Sequence, residues 1–229
     1  MGKQHILYLF GTTSFPKIVR EHTIWKRYKY LILSFLFNCG FYWLAKAVTA
    51  GAYHYDMTIP FDDRIPLIHS SIIIYFGAYF FWFFNYLYAC TVDSTMKMRF
   101  FSAELLGKTV CFLFFLVLPT TAARPEATDG TFWERAIGFL YAVDSCDALF
   151  PSIHCFNSWF AYIAVRGRED VPKDYRAFSL LFALAVCVST LTTKQHVFVD
   201  TVSGVLLAEA VFRVTDKIGF TRLYEKIVK

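Results

Sequence analysis

Residues 67–90 read LIHSSIIIYFGAYFFWFFNYLYAC and contain no Asp, Glu, Lys or Arg. A helix needs about 20 mostly apolar residues to cross roughly 30 Å of hydrocarbon, and this stretch meets that length. Working outward from it, five further apolar segments stand out: 28–50, 101–122 with Pro119 near its end, 151–165, 177–192 and 197–215. The segments at 151–165 and 177–192 are short and are expected to extend into their flanking residues. No internal repeat and no low-complexity linker interrupts the series. The pattern predicts an all-α chain, an integral membrane bundle of six transmembrane helices.

Composition agrees. The apolar set AVILMFWYC makes up 56% of the 229 residues, aromatics 20% and charged residues 18%. Soluble domains carry roughly 45–50% apolar residues even with Gly counted, and about 25% charged residues. The mean hydropathy is +0.43. A soluble globule of this size has too little interior for so much apolar surface. The composition argues against an ordinary cytosolic enzyme and against a disordered chain. The net charge of +5 is too small to argue for nucleic acid. In a membrane protein the placement of Lys and Arg carries more information than their sum.

That placement is one-sided. Six crossings put 17 Lys and Arg residues on one side and four on the other, Arg64, Arg124, Arg135 and Lys194. Lys46 and Lys108 fall inside spans. The bias places both termini in the cytoplasm and the loops at 51–66, 123–150 and around Lys194 outside. The expected organisation is a cytoplasmic N-terminal arm at 1–27, a six-span domain at 28–215 and a cytoplasmic tail at 216–229. No cleavable signal peptide is visible, since the basic N-terminal arm carries only the short apolar stretch 6–10. Within the second outer loop, Phe132, Trp133, Ala136, Ile137, Phe139 and Leu140 have the spacing of a short amphipathic helix with Trp133 at headgroup level. The six cysteines show no metal-ligand spacing. Only Cys146 and Cys155 lie close enough to pair near an outer surface.

Polar residues gather at the outer ends of three spans. Arg124 and Pro125 follow the third, Pro151-Ser152-Ile153-His154 opens the fourth, and His196 and Asp200 open the sixth with Lys194 just before them. His196 and Asp200 stand at i and i+4, on one helical face. A nucleophilic histidine needs one free ring nitrogen and a partner for the other, which a carboxylate one turn away supplies. Phosphoryl transfer also needs positive charge and N–H donors around the phosphate oxygens. Arg124 offers a planar fork, Ser152 and the nearby amides offer donors at a helix N-terminus, and His154 can protonate a leaving oxygen. Each has a plainer alternative. The His196–Asp200 pair could be a surface pair or two metal ligands. Ser152 could be an N-cap, with or without phosphate binding. Arg124 could anchor at headgroups, and Lys194 could be a surface charge. His5, His22, His54 and His69 fit no motif. Glu209 and Asn85, inside spans, are expected to face the bundle and bond between helices.

These motifs resemble the type 2 phosphatidic acid phosphatase superfamily, membrane enzymes acting on lipid phosphates and diphosphates. The family pattern runs Lys-x6-Arg-Pro, then Pro-Ser-Gly-His, then Ser-Arg-x5-His-x3-Asp. Arg124-Pro125 matches the end of the first motif, while its lysine falls on Val117. Residues 151–154 match the second with Ile for Gly. Ser189-Thr190, His196 and Asp200 match the third with Thr for Arg. The Ile and the Lys194-Gln195-His196 run are closest in style to the branch of sphingomyelin and inositol phosphorylceramide synthases, which includes phosphotransferases. The motifs cover about a third of the chain; before them only the topology matches.

The resemblance implies a catalytic set of His196 as nucleophile, Asp200 as its support and His154 as acid then base. Arg124, Ser152 and Lys194 would hold the phosphate. Lys194 would replace one missing basic group. Lys108 is a poor replacement for the other, because it lies nine positions before Val117, about 13 Å along a helix. The scheme requires no metal and no organic cofactor. The expected protein is a lipid phosphatase of the cell membrane with its active site facing outward. A phosphotransferase passing the group to an alcohol would use the same residues. A third possibility is a transporter using the polar residues as a path, although no inverted repeat supports it.

Overall fold

The structure, a computed structural model, describes residues 21–228, with side chains from residue 28 onward. Most of the N-terminal arm, residues 1–20, lies outside the described residues. The chain is helical almost throughout: α1 (Glu21–Thr49), α2 (Ile72–Ala89), α3 (Ser94–Val117), α4 (Phe132–Val143), α5 (Ile153–Val165), α6 (Lys173–Thr192), α7 (Phe198–Val214) and α8 (Phe220–Val228). Two short parallel strands, β1 (Tyr55–Asp56) and β2 (Thr120–Thr121), tie the loop after α1 to the chain just after α3.

Among the described residues, four helical stretches are long and apolar enough to cross a membrane: Tyr28–Thr49, His69–Ala89, Ser94–Val117 and Lys173–Thr192. Their outward surfaces are apolar. In α2, Ile72, Tyr75, Ala78, Phe81, Asn85 and Ala89 face inward while Ile73, Phe80, Phe83 and Phe84 are exposed. The other two expected spans are shorter. The extension expected of 177–192 occurs, since α6 begins at Lys173, but that of 151–165 does not. The 13 residues of α5 reach only about 20 Å, and the 17 of α7 about 26 Å. Helix α5 is the centre of the bundle and packs against α2, α3, α6 and α7. It is apolar nearly all round and buried nearly all round, as a central helix must be.

Helix α3 starts seven residues before the expected position 101. The Asp93 side chain accepts the Met96 N–H at 3.0 Å and caps the helix ahead of Lys97 and Arg99. That cap holds the Asp93 carboxyl below its usual range. Helix α4 spans the expected residues and opens on a reciprocal capping box between Thr131 and Glu134. The Thr131 N–H bound to Glu134 lowers that carboxyl in the same way. Residues 216–229, expected as a plain tail, largely form α8, which buries Tyr224 against Tyr30 and packs on α3.

Charged side chains buried between the helices are paired. Lys108 meets Glu104 at 2.5 Å, and Ser34 of α1 donates to Glu104 at 2.6 Å. Lys108 is therefore spent inside the bundle. Glu209 accepts from Trp159 at 2.8 Å and pairs with Arg166 and Arg213. Asn85 accepts from Tyr175 of α6 at 3.4 Å. Contacts among Asp93, Arg99, Arg168 and Asp216 collect the loops at one end of the bundle. The residues expected to form the site lie at the other end.

Two glycines bring the central helices together. A Cβ at Gly107 would lie 2.3 Å from the Phe156 ring, and one at Gly204 would lie 2.4 Å from the Ser152 carbonyl oxygen. The second contact sets the start of α7 against the start of α5, where the Ser152 N–H donates to the Asp200 carbonyl at 3.0 Å.

Candidate active site

The turn between α6 and α7 places His196. The N–H groups of Gln195 and His196 both donate to the Thr190 carbonyl, at 3.0 and 3.1 Å, and Lys194 takes a φ of +55°. Asp200, fully buried in the first turn of α7, presents Oδ2 to the Val197 N–H at 3.1 Å and to His196 Nδ1 at 3.5 Å. A carboxylate there is also favoured by the helix N-terminus. The His196 ring is thus backed on its Nδ1 side, with Nε2 on the opposite edge.

His154 stands in the first turn of α5, its ring centroid 6.2 Å from that of His196. Tyr75 stacks on it at 4.3 Å, and Tyr79 and Trp82 meet it edge-on at 5.7 and 5.1 Å. The Tyr75 hydroxyl lies 3.5 Å from His154 Nδ1. Both histidines line one cavity of about 240 Å³, together with Asn38, Tyr42, Asp144, Asn157 and Gln195. Among the described residues, four buried polar atoms of the residues lining this cavity have no hydrogen-bond partner: His154 Nε2, Asn157 Oδ1, Gln195 Nε2 and His196 Nδ1, which meets Asp200 at ion-pair distance only. Buried polar groups are nearly always satisfied, so the first three are available to a polar ligand.

The three residues expected to hold phosphate lie elsewhere. Ser152 is buried, and its Oγ caps α5 by accepting the Cys155 N–H at 3.3 Å. Arg124 donates to the carbonyls of Asp144 and Lys194, at 2.6 and 3.3 Å, and to Gln195 Oε1. The Lys194 ammonium donates to the carbonyls of Asp62 and Ile65, at 3.0 and 2.6 Å. Arg124 and Lys194 border a second cavity of about 330 Å³, which also reaches His196. Neither appears in an ion pair within 4.0 Å among the described residues. Val117, where the motif expects lysine, points outward at 75% exposure, and Thr190 is buried against Cys155 and Thr201.

Reading the sequence missed Asp144. It follows α4, accepts from Tyr42 at 2.7 Å and Tyr75 at 3.3 Å, and faces the histidine cavity. Asp147 was missed as well and pairs with Lys46 at 2.7 Å. A carboxylate just beyond an amphipathic helix was the only signal for Asp144. The Tyr141 hydroxyl under Arg124 is shifted up by burial, against the pull of that charge, and burial also raises the Cys146 thiol. All six cysteines are free. Cys146 and Cys155 do not pair, because Cys146 donates to the Ala122 carbonyl while Cys155 is buried inside the bundle. Among the described residues, no group of three or more His, Cys, Asp or Glu side chains is arranged to hold a metal ion. Comparison with protein-family models, curated proteins and solved structures finds no match to this chain.

Proposed function

We propose that the chain is a membrane lipid phosphatase that hydrolyses a lipid phosphate monoester or diphosphate through a phosphohistidine. The observation that carries the reading is the pair of histidines on one cavity wall, with Asp200 behind His196. His196 Nε2 attacks phosphorus, and Asp200 steadies the ring and its developing positive charge. His154 Nε2 protonates the leaving oxygen and then takes a proton from the attacking water. Arg124 and Lys194 supply positive potential from behind His196. Ser152 acts as the cap that fixes His154 in the first turn of α5.

In this reading α5 and α7 complete six crossings around the four long helices. The basic end faces the cytoplasm and the histidines face outward at the cell membrane. A phosphotransferase reading uses the same first step. It is favoured by the unpartnered Asn157 and Gln195 atoms, which can hold an acceptor hydroxyl. Purified protein should turn over at least one member of a panel of lipid phosphates and diphosphates. Free phosphate as product supports the phosphatase, and a new phospholipid supports the transferase. Failure with every member, in detergent and in vesicles, would defeat both.

A further inference from the structure

Asp144 has no assigned task in the scheme above, yet it is the one carboxylate wired to the second histidine. Its Oδ1 accepts from Tyr42 of α1 at 2.7 Å, and its Oδ2 accepts from Tyr75 of α2 at 3.3 Å. The same Tyr75 oxygen lies 3.5 Å from His154 Nδ1, and the two rings stack at 4.3 Å. Tyr75 has a single hydroxyl proton and is buried. No cation pairs with the Asp144 side chain within 4.0 Å among the described residues, and its carboxylate oxygens accept from the two tyrosine hydroxyls.

From this geometry we infer that Asp144 and Tyr75 are positioning residues for His154, forming a relay that mirrors the support Asp200 gives His196. Tyr75 gives its proton to Asp144, and its oxygen then accepts from Nδ1–H of His154. This fixes the tautomer and leaves Nε2, which has no partner among the described residues, to face the cavity. One histidine is backed by a carboxylate directly, and the other through a tyrosine hydroxyl. Resting on the phosphohistidine reading, the relay has a defined part in the reaction. In the first step the bond from His196 Nε2 to phosphorus forms and the bond from phosphorus to the leaving oxygen breaks. The leaving oxygen takes the Nε2 proton of the His154 imidazolium, whose charge Asp144 has stabilised through Tyr75. In the second step the water oxygen bonds phosphorus, the P–N bond breaks and the water proton returns to His154 Nε2. Nδ1–H stays on Tyr75 throughout.

The test compares an alkyl phosphate, a poor leaving group, with a nitrophenyl phosphate, a good one. Wild type, Tyr75→Phe and Asp144→Asn are measured on both, together with phosphate trapped on the protein. Tyr75→Phe keeps the stacked ring and removes only the hydroxyl. Both variants should lose about 10- to 100-fold on the alkyl ester, less than the roughly 10²- to 10⁴-fold that a general acid itself contributes. They should lose under about threefold on the nitrophenyl ester. Equal losses on both esters, or no loss on either, would overturn the relay while wild type still traps phosphate. If wild type traps none, the phosphohistidine reading itself is wrong. Should Asp144→Asn fail to fold through loss of its tyrosine bonds, the Tyr75→Phe comparison decides alone.

Discussion

His196 and His154 share a cavity but have different neighbours, and they should fail differently. His196→Ala removes the atom that would accept phosphorus, so good and poor leaving groups should be lost alike. His154→Ala removes only a proton donor, so the alkyl ester should slow by about 10²- to 10⁴-fold while an activated ester is partly rescued. Asp200→Asn keeps the shape of the buried pocket but leaves the His196 ring unsupported, and turnover should drop on the order of 10⁴-fold with folding intact. Rates for the two esters with each variant check all three. Rescue of His196→Ala and not of His154→Ala would reverse the roles. The spacing of Pro151-Ser152-Ile153-His154 and of His196 with Asp200 was legible because each motif lies within one local segment. The direction of Lys194 was not, because it depends on a turn with φ near +55° and on carbonyls more than a hundred residues away. Asp144 was hidden for the same reason: its partners, Tyr42 and Tyr75, belong to other helices.

At the level of helices, length and apolar run identified the elements, while the caps decided where they begin. Lys97 and Arg99 look like a loop in sequence, but the Asp93 cap draws them into α3. The short fourth segment stays short because α5 is enclosed by other helices. The Glu104–Lys108 pair within α3, which Ser34 of α1 joins, makes this packing testable. Glu104→Gln leaves a buried ammonium without its counter-charge, a loss of about 3–5 kcal/mol. Replacing both residues by Met removes the charges together and should restore most of that stability. Thermal unfolding in detergent gives the comparison. A double variant as unstable as the single one would mean that the ion pair is more than a neutralised buried charge. Gly204→Ala should cost about 1–3 kcal/mol by overpacking and should lower activity as well, because the Ser152 carbonyl it would strike precedes His154 by two residues. Normal activity and melting in that variant would contradict the close approach of α7 to α5.

For the molecule as a whole, the end of the bundle where Arg99 and Arg168 gather lies opposite the histidine cavity. The charge bias assigns the basic end to the cytoplasm. Thr128 and Lys173 are both exposed and lie at opposite ends. In a cysteine-free background, an impermeant thiol reagent added to intact cells should label a cysteine at position 128 and spare one at 173. Labelling of 173 alone would invert the orientation and place the cavity inside. The central claim is the chemical one, and trapping tests it most directly. Purified protein is mixed with a labelled substrate found by the lipid panel and quenched in alkali, and the site of bound phosphate is mapped by peptide mass spectrometry. Acid-labile phosphate on His196, absent from His196→Ala, is the expected result. Turnover with no phosphorylated residue under these conditions, or with phosphate on His154 or any other side chain, would contradict it.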